Sequence, residues 1–243
     1  MQENIRRISS QLPKAVSVCV LTGAGISADS GVPTFRGKDG LWRNFRAEEL
    51  ATPEAFSRDP KLVWEWYNWR REIIATKIPN AAHLALAAME RQSPSFTLIT
   101  QNVDGLHAKA GSKNLIEIHG NIWKMRCTAC GCISMNEDVP IPILPYCSQC
   151  NGLLRPHIVW FGESLDPADI TRSRDALHRC DVLLIVGTSG IVQPAASFAS
   201  VAKSAGVYIV EVNVEATPNS DFVDETLIGR ASEIVPMFIK GPV

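Results

Sequence analysis

No run of about eighteen apolar residues occurs in the chain, and no apolar segment stands behind Arg6 and Arg7 as a secretory leader would require. The expectation is a cytoplasmic protein that neither crosses nor enters a membrane. An excess of one charge is missing too, since 24 Lys and Arg residues face 25 Asp and Glu. A net charge of -1 provides no basic footprint for nucleic acid, so none is expected as a partner. Internal repeats and low-complexity segments are absent. Cysteines do not come in an even set: there are seven, five of them between Cys127 and Cys150, which points to metal and away from a disulfide framework.

What the chain does contain is alternation. Apolar, β-branched runs at Ser17 to Leu21, Phe96 to Thr100, Leu115 to Ile118, Val182 to Val186 and Val207 to Val212 are separated by helical stretches. This predicts an α/β fold: a Rossmann-like parallel sheet with helices on both faces. Pro194 and the Ala-rich sequence to Ala205 read as a helix opened by proline. Two stretches interrupt the pattern. One holds Trp64, Trp66 and Trp69 in helical register, and the other holds the cysteine cluster with three prolines between Val139 and Pro145. The expected division is a dinucleotide-binding domain of residues 1-36, 83-123 and 155-243. A smaller lobe is then made of a helical insertion, 37-82, and a zinc-binding module, 124-154. At 243 residues the chain buries roughly 70 to 75% of its unfolded surface, so zinc acts as a local staple.

Cys127-x2-Cys130, sixteen residues, then Cys147-x2-Cys150 is the spacing of one tetrahedral zinc ion held by four thiolates in a closed structural site. Cys132 competes as a ligand, although only Cys127 and Cys130 mirror the second pair. Cys19 and Cys180 read as core residues. Gly23-Ala24-Gly25-Ile26-Ser27-Ala28 fits the strand-to-helix glycine turn that brings backbone amides against a pyrophosphate. The acidic ribose ligand usual about 20 positions later is not evident, which argues against an ordinary dehydrogenase. His119-Gly120 closes a strand, placing an imidazole at the carboxyl edge of the sheet where ligands bind; its ordinary pKa near 6.5 suits proton transfer.

The stretch from Gly23 through Phe35 and Arg36 to Gly37 resembles the signature of the sirtuin family. Thr100-Gln101-Asn102-Val103-Asp104-Gly105-Leu106-His107 resembles its second signature, and further motifs follow in the family's order from about Val16 to Pro236. The resemblance implies NAD as co-substrate, in contact with Gly23, Ala24, Gly25, Ser27, Phe35, Arg36, Gln101, Asn102, Asp104, Gly187, Thr188, Ser189, Asn213, Val214, Glu215 and Ala231. It implies His119 as general base, with Val159, Phe161, Gly162 and Val192 around an acyl-lysine chain laid between two backbone segments by strand addition. Many relatives carry serine where Gly190 stands and tyrosine or glutamate where Gln193 stands, which bears on fine substrate preference. Trp64 to Arg71 is similar to the class III branch, in which the residues matching Tyr67 and Arg70 bind succinyl or malonyl carboxylates. Residues three apart share a helix face, and a guanidinium fork suits a carboxylate. Arg71 is the alternative register.

The implied activity is NAD-dependent protein-lysine deacylation, by deacetylation and desuccinylation or demalonylation, that releases nicotinamide and O-acyl-ADP-ribose. The expected partners are acyl-lysine proteins or peptides, met by a monomer. Mono-ADP-ribosyl transfer from the same NAD pocket is the alternative.

Overall fold

The computed structural model describes residues 2–33 and 46–240. In chain order its elements are α1 (Gln2–Gln11), β1 (Ser17–Thr22), α2 (Gly25–Ala28), α3 (Ala47–Leu50), α4 (Pro53–Arg58), α5 (Pro60–Ala75) and α6 (Ala81–Gln92). There follow β2 (Ser95–Thr100), α7 (Leu106–Lys109), β3 (Leu115–Glu117), β4 (Gly120–Cys127), β5 (Ile133–Met135), β6 (Leu154–Ile158) and α8 (Pro167–Arg179). The last are β7 (Val182–Val186), α9 (Phe198–Ser204), β8 (Tyr208–Asn213), β9 (Glu225–Ile228), α10 (Ala231–Ile234) and α11 (Met237–Lys240).

Six parallel strands form the main sheet in the order β3-β2-β1-β7-β8-β9, the doubly wound arrangement in which the chain reverses direction of growth between β1 and β7. Period-two side-chain alternation explains why β1 is apolar on almost every residue. Val18 and Val20 point into a core shared with α1, α6 and α10, whereas Cys19 and Leu21 point into the opposite core, beneath α8 and α9. Cys180 lies in this second core with Cys19, as expected. β9 is absent from the sequence reading because it opens on a charge. Glu225 is buried there, paired with Arg7 at 3.0 Å and approached by the Tyr208 hydroxyl. The proline helix is also shorter than expected: Ala195 to Ser197 form a 3-10 turn capped by Pro194, and α-helical geometry starts at Phe198.

A second sheet of three antiparallel strands runs β5-β4-β6. A register irregularity between Gly120 and Met125 breaks the alternation of β4 and hides this sheet in the sequence. Its core joins the tryptophan helix: Trp64, Trp66 and Tyr67 of α5 pack with Ile122, Met125, Cys127, Cys147 and Leu154. α5 starts at Asp59, whose carboxylate accepts the Leu62 N–H, with Pro60 at the first helical position.

Candidate active site

The glycines of the first loop are dictated by a neighbouring backbone. Gly25 N–H donates to the Gly187 carbonyl at 2.8 Å, and Gly23 N–H to that of Val186 at 3.1 Å. A Cβ on Gly23 or Gly25 would lie 2.7 Å from Gly187 atoms, and one on Gly187 would lie 2.4 Å from the Ile26 nitrogen. The loops after β1 and β7 therefore interlock main chain to main chain, leaving a shallow floor at the switch point of the sheet. Ala24 and Ser189 are half-buried beside this floor, and Asn213 Nδ2 donates to the Thr188 carbonyl at 2.9 Å. Val214 and Glu215 are exposed beyond it, and Ala231 is buried at the start of α10. Phe35 and Arg36 lie outside the described residues.

The segment after β2 brings the polar groups together. Gln101 Nε2 donates to Thr188 Oγ1 at 2.9 Å, bridging the two halves of the sheet. Asn102 Nδ2 donates to the Gly23 carbonyl at 3.0 Å and to Ser27 Oγ at 3.2 Å. Both amide protons are thereby used inside the protein, and Oδ1 is left to accept from a ligand. Ser27 Oγ donates to Asp104 at 2.8 Å, and Leu106 N–H donates to the other carboxylate oxygen at 2.8 Å. Burial raises the Asp104 carboxyl above its ordinary value, opposed by these two donors and by Arg70. The loop itself is pinned by the small lobe: Ile122 N–H donates to the Val103 carbonyl at 2.8 Å, and Trp123 Nε1 to that of Asp104 at 2.9 Å.

His119 is half-buried, with Nδ1 at 3.0 Å from the Gln101 carbonyl. A carbonyl can only accept, so Nδ1 carries the proton and Nε2 is the basic atom. Burial lowers the His119 pKa, against the pull of the Gln101 carbonyl, and keeps the ring neutral at neutral pH. Gly120, at φ +82°, lets β4 cross β6 closely, since a Cβ there would meet the His157 carbonyl oxygen.

Val159 N–H donates to the His119 carbonyl at 3.0 Å, and Phe161 N–H to that of Ala51 at 2.9 Å. Arg155 holds this segment with a two-pronged pair to Glu163, at 2.6 and 2.8 Å, and lies 3.4 Å over the Trp160 ring. Burial alone would raise the Glu163 carboxyl, but the Arg155 guanidinium carries it below its ordinary range. Phe161 and Val192 are exposed at 49% and 39%, and Gly162 is exposed next to Phe161. Trp160 Nε1 donates to the Tyr67 hydroxyl at 2.8 Å, leaving the phenol its own proton to donate. Burial pushes Tyr67 up to about 12, so it stays protonated. Arg70 lies over the rings of Trp66, at 5.1 Å, and Tyr67, at 5.9 Å, and burial lowers its pKa while Tyr67 and Asp104 pull it back up. Arg71 is committed elsewhere: it is buried and donates to the carbonyls of Ile122, Asn136 and Asp138.

The Sγ atoms of Cys127, Cys130, Cys147 and Cys150 lie within 4.8 Å of one another. The pairs Cys127–Cys150 and Cys130–Cys147 are 3.4 and 3.8 Å apart, close to the edge of about 3.8 Å that tetrahedral Zn–S bonds of about 2.3 Å produce. The Cys130 N–H, first among several donors, brings the Cys127 thiol down to about 6. Gly152 completes the cradle, since a Cβ there would sit 2.9 Å from Cys127 Sγ. Cys132 turns its sulfur to the Ile133 carbonyl and stays outside the cluster.

Two buried histidines escape the sequence reading. His83 Nε2 lies 3.3 Å from Ser27 Oγ, and His107 Nε2 lies 3.0 Å from Thr22 Oγ1, with the two rings 4.8 Å apart. The signal for His83 is the Asn80-x-x-His83 box at the start of α6, where Asn80 N–H donates to Nδ1 at 3.3 Å.

A doubly wound sheet with its polar cleft at the switch point, joined to a four-cysteine lobe, defines a class of dinucleotide-binding α/β protein with a structural metal. Residues 23–194 match the Sir2 family model. A relative from Aquifex aeolicus (strain VF5), an NAD-dependent protein deacylase, is 55% identical over 218 residues, 89% of this chain and 91% of its own. The mitochondrial NAD-dependent protein deacylase sirtuin-5 of Danio rerio is 49% identical over 232 residues, 84% of this chain and 76% of its own. The crystal structure of a Sir2 homologue in complex with NAD superposes with a TM-score of 0.92 at 46% identity, covering 96% of this chain and 92% of that one. The chain belongs to the Sir2 family.

Proposed function

We infer that this protein is an NAD-dependent protein-lysine deacylase that also removes acidic acyl groups. The observation that carries the reaction is the neutral His119, with Nδ1–H held on the Gln101 carbonyl and Nε2 basic, at the carboxyl edge of the sheet beside Asn102, Asp104 and the interlocked glycine loops. The donor set fits a dinucleotide: backbone amides at a glycine floor, neutral amide and hydroxyl groups for ribose and carboxamide, and little charge. Bound NAD supplies an electrophilic anomeric carbon and a nicotinamide leaving group. We assign Gly23, Ala24, Gly25, Ser27, Phe35, Arg36, Gln101, Asn102 and Asp104 to its pyrophosphate, ribose and nicotinamide end. Gly187, Thr188, Ser189, Asn213, Val214, Glu215 and Ala231 are assigned to its adenosine end.

Val159, Phe161, Gly162 and Val192 line the path of the acyl-lysine stem, and His119 Nε2 receives a proton from a ribose hydroxyl. Tyr67 O–H and the Arg70 guanidinium are the groups for an acyl carboxylate, supported by the placement of Arg70 over the Tyr67 and Trp66 rings and by the commitment of Arg71 to backbone carbonyls. Cys127, Cys130, Cys147 and Cys150 would hold one zinc ion as a closed structural site with no share in the chemistry. We retain the division into a dinucleotide domain (1-36, 83-123, 155-243) and a small lobe (37-82, 124-154), and read the protein as a cytoplasmic monomer acting on acyl-lysine proteins.

The test is nicotinamide release from NAD with acetyl, succinyl and malonyl peptides. Release should depend on the peptide and fall at least a thousandfold in His119→Ala with the circular dichroism spectrum unchanged. NAD cleavage without acylated peptide, with ADP-ribose appearing on protein, would favour ADP-ribosyl transfer instead.

A further inference from the structure

His107 stands where stability alone would not place an imidazole. It is 2% exposed, and its Nδ1 is buried without a hydrogen-bond partner. An unsatisfied buried polar atom is destabilising, whereas a leucine or phenylalanine would fill the same space without that penalty. The other ring nitrogen is used. Nε2 lies 3.0 Å from Thr22 Oγ1, and Thr22 in turn donates to Thr100 Oγ1 at 2.8 Å. With Thr22 donating to Thr100, the Thr22 oxygen accepts from His107, which makes His107 the Nε2–H tautomer. Thr100 Oγ1 also accepts the backbone N–H of Asn102 at 3.0 Å. Thr22 and Thr100 are paired residues at the carboxyl ends of β1 and β2, so the relay crosses the sheet at the mouth of the cleft.

We propose that His107 is a positioning residue for Asn102, acting through Thr22 and Thr100 to fix the backbone from which the Asn102 amide reaches Gly23 and Ser27. The assignment rests on the reading of Asn102 as a wall of the nicotinamide pocket. Asn102 has two attachments, one at each end of the residue: its side chain is tied to the first loop, and its main chain to the histidine relay. Without Thr22 and His107 the Thr100 hydroxyl that holds the Asn102 N–H loses its own anchor, and misplacement of the amide of the order of 1 Å can cost about a hundredfold in rate.

The zinc-loaded full chain would be compared with His107→Leu, His107→Gln, Thr22→Val and the His107→Leu/Thr22→Val double variant. Peptide-dependent nicotinamide release, Tm and imidazole 15N spectra would be recorded. His107→Leu and Thr22→Val should each lower kcat about tenfold to a hundredfold with the acyl-peptide KM unchanged. The double variant should be no worse than the poorer single one. His107→Gln, whose side-chain N–H reaches the place of Nε2–H, should recover most of the rate. Equal loss in His107→Gln and His107→Leu, multiplied losses in the double variant, a fall in Tm at constant kcat, or a His107 signal from Nδ1–H would each overturn the proposal. If His107→Leu does not fold, Thr22→Val and the tautomer signal still decide it. Wild-type protein that releases no nicotinamide would defeat the functional reading by itself, and the 15N spectrum would continue to test the relay.

Discussion

Arg70 and Arg71 adjoin in sequence and face different chemistry. Arg71 has its two terminal guanidinium nitrogens on main-chain carbonyls, while Arg70 is held over two aromatic faces and within the field of Asp104. The second arrangement sets a guanidinium against the Tyr67 ring, which is why the acyl-carboxylate role is assigned to Arg70 and not to Arg71. Arg70→Met should therefore lower kcat/KM for succinyl peptides by about a hundredfold and for acetyl peptides by less than about threefold, the difference of two charge-assisted hydrogen bonds. Equal losses on both peptides would end the clamp assignment. Single side chains also set the response to acid. Burial lowers His83 to about 4. As pH falls below the unfolded value of about 6.5, the unfolded chain takes up a proton that the folded one refuses, so stability drops until about pH 4 and then levels. The 2.5-unit gap corresponds to roughly 3 kcal/mol. Urea midpoints measured at pH 7 and pH 4.5 should diverge, and His83→Gln should narrow the difference.

α5 and β4 show how elements carry that chemistry. α5 carries Tyr67 and Arg70, the residues assigned to an acyl carboxylate, and from the same turn gives β4 the Arg71 staple. β4 passes the constraint to the site through Ile122 N–H on Val103 and Trp123 Nε1 on Asp104. Arg71→Met would leave the carbonyls of Ile122, Asn136 and Asp138 without their Arg71 donor, and a loss of about 1–3 kcal/mol for each one left unsatisfied is expected in chemical denaturation. The apolar strands of the main sheet were legible because burial on both faces demands apolar residues at every position. β4 and β6 were not, because the irregular register between Gly120 and Met125 interrupts the period of β4, and Arg155, Pro156 and His157 stand inside β6. β9 was obscured by buried Glu225, whose partners Arg7 and Tyr208 lie far away in sequence. In the site, the glycine loops, Gln101, Asn102, Asp104, His119 and the four cysteines could be read from motifs. The His107–Thr22–Thr100 chain could not, since only the pairing of β1 with β2 brings those hydroxyls together.

Across the described residues, the main sheet has an apolar core on each face, and a third core joins α4, α5 and the three-stranded sheet with Val103 and Trp160 and includes Cys127 and Cys147. Metal removal should act unequally. Chelation of zinc is expected to abolish hydrogen-exchange protection in β4, β5 and β6 while β1, β2, β7 and β8 stay protected. Activity should fall with it, because β4 anchors the Val103–Asp104 loop. Uniform loss of protection would show that the lobes unfold as one.

The interlock of Gly23 and Gly25 with Gly187 also has a consequence in time. The loop after β1 leaves the ribosome early, yet the backbone against which it must close is made only when synthesis has passed residue 187. At about 5–20 residues per second, the nascent chain spends roughly 10 to 30 seconds with one half of its cleft exposed and unpartnered. A truncated product ending before β7 would accordingly have no cleft to offer the dinucleotide, however many of the signature residues it carried.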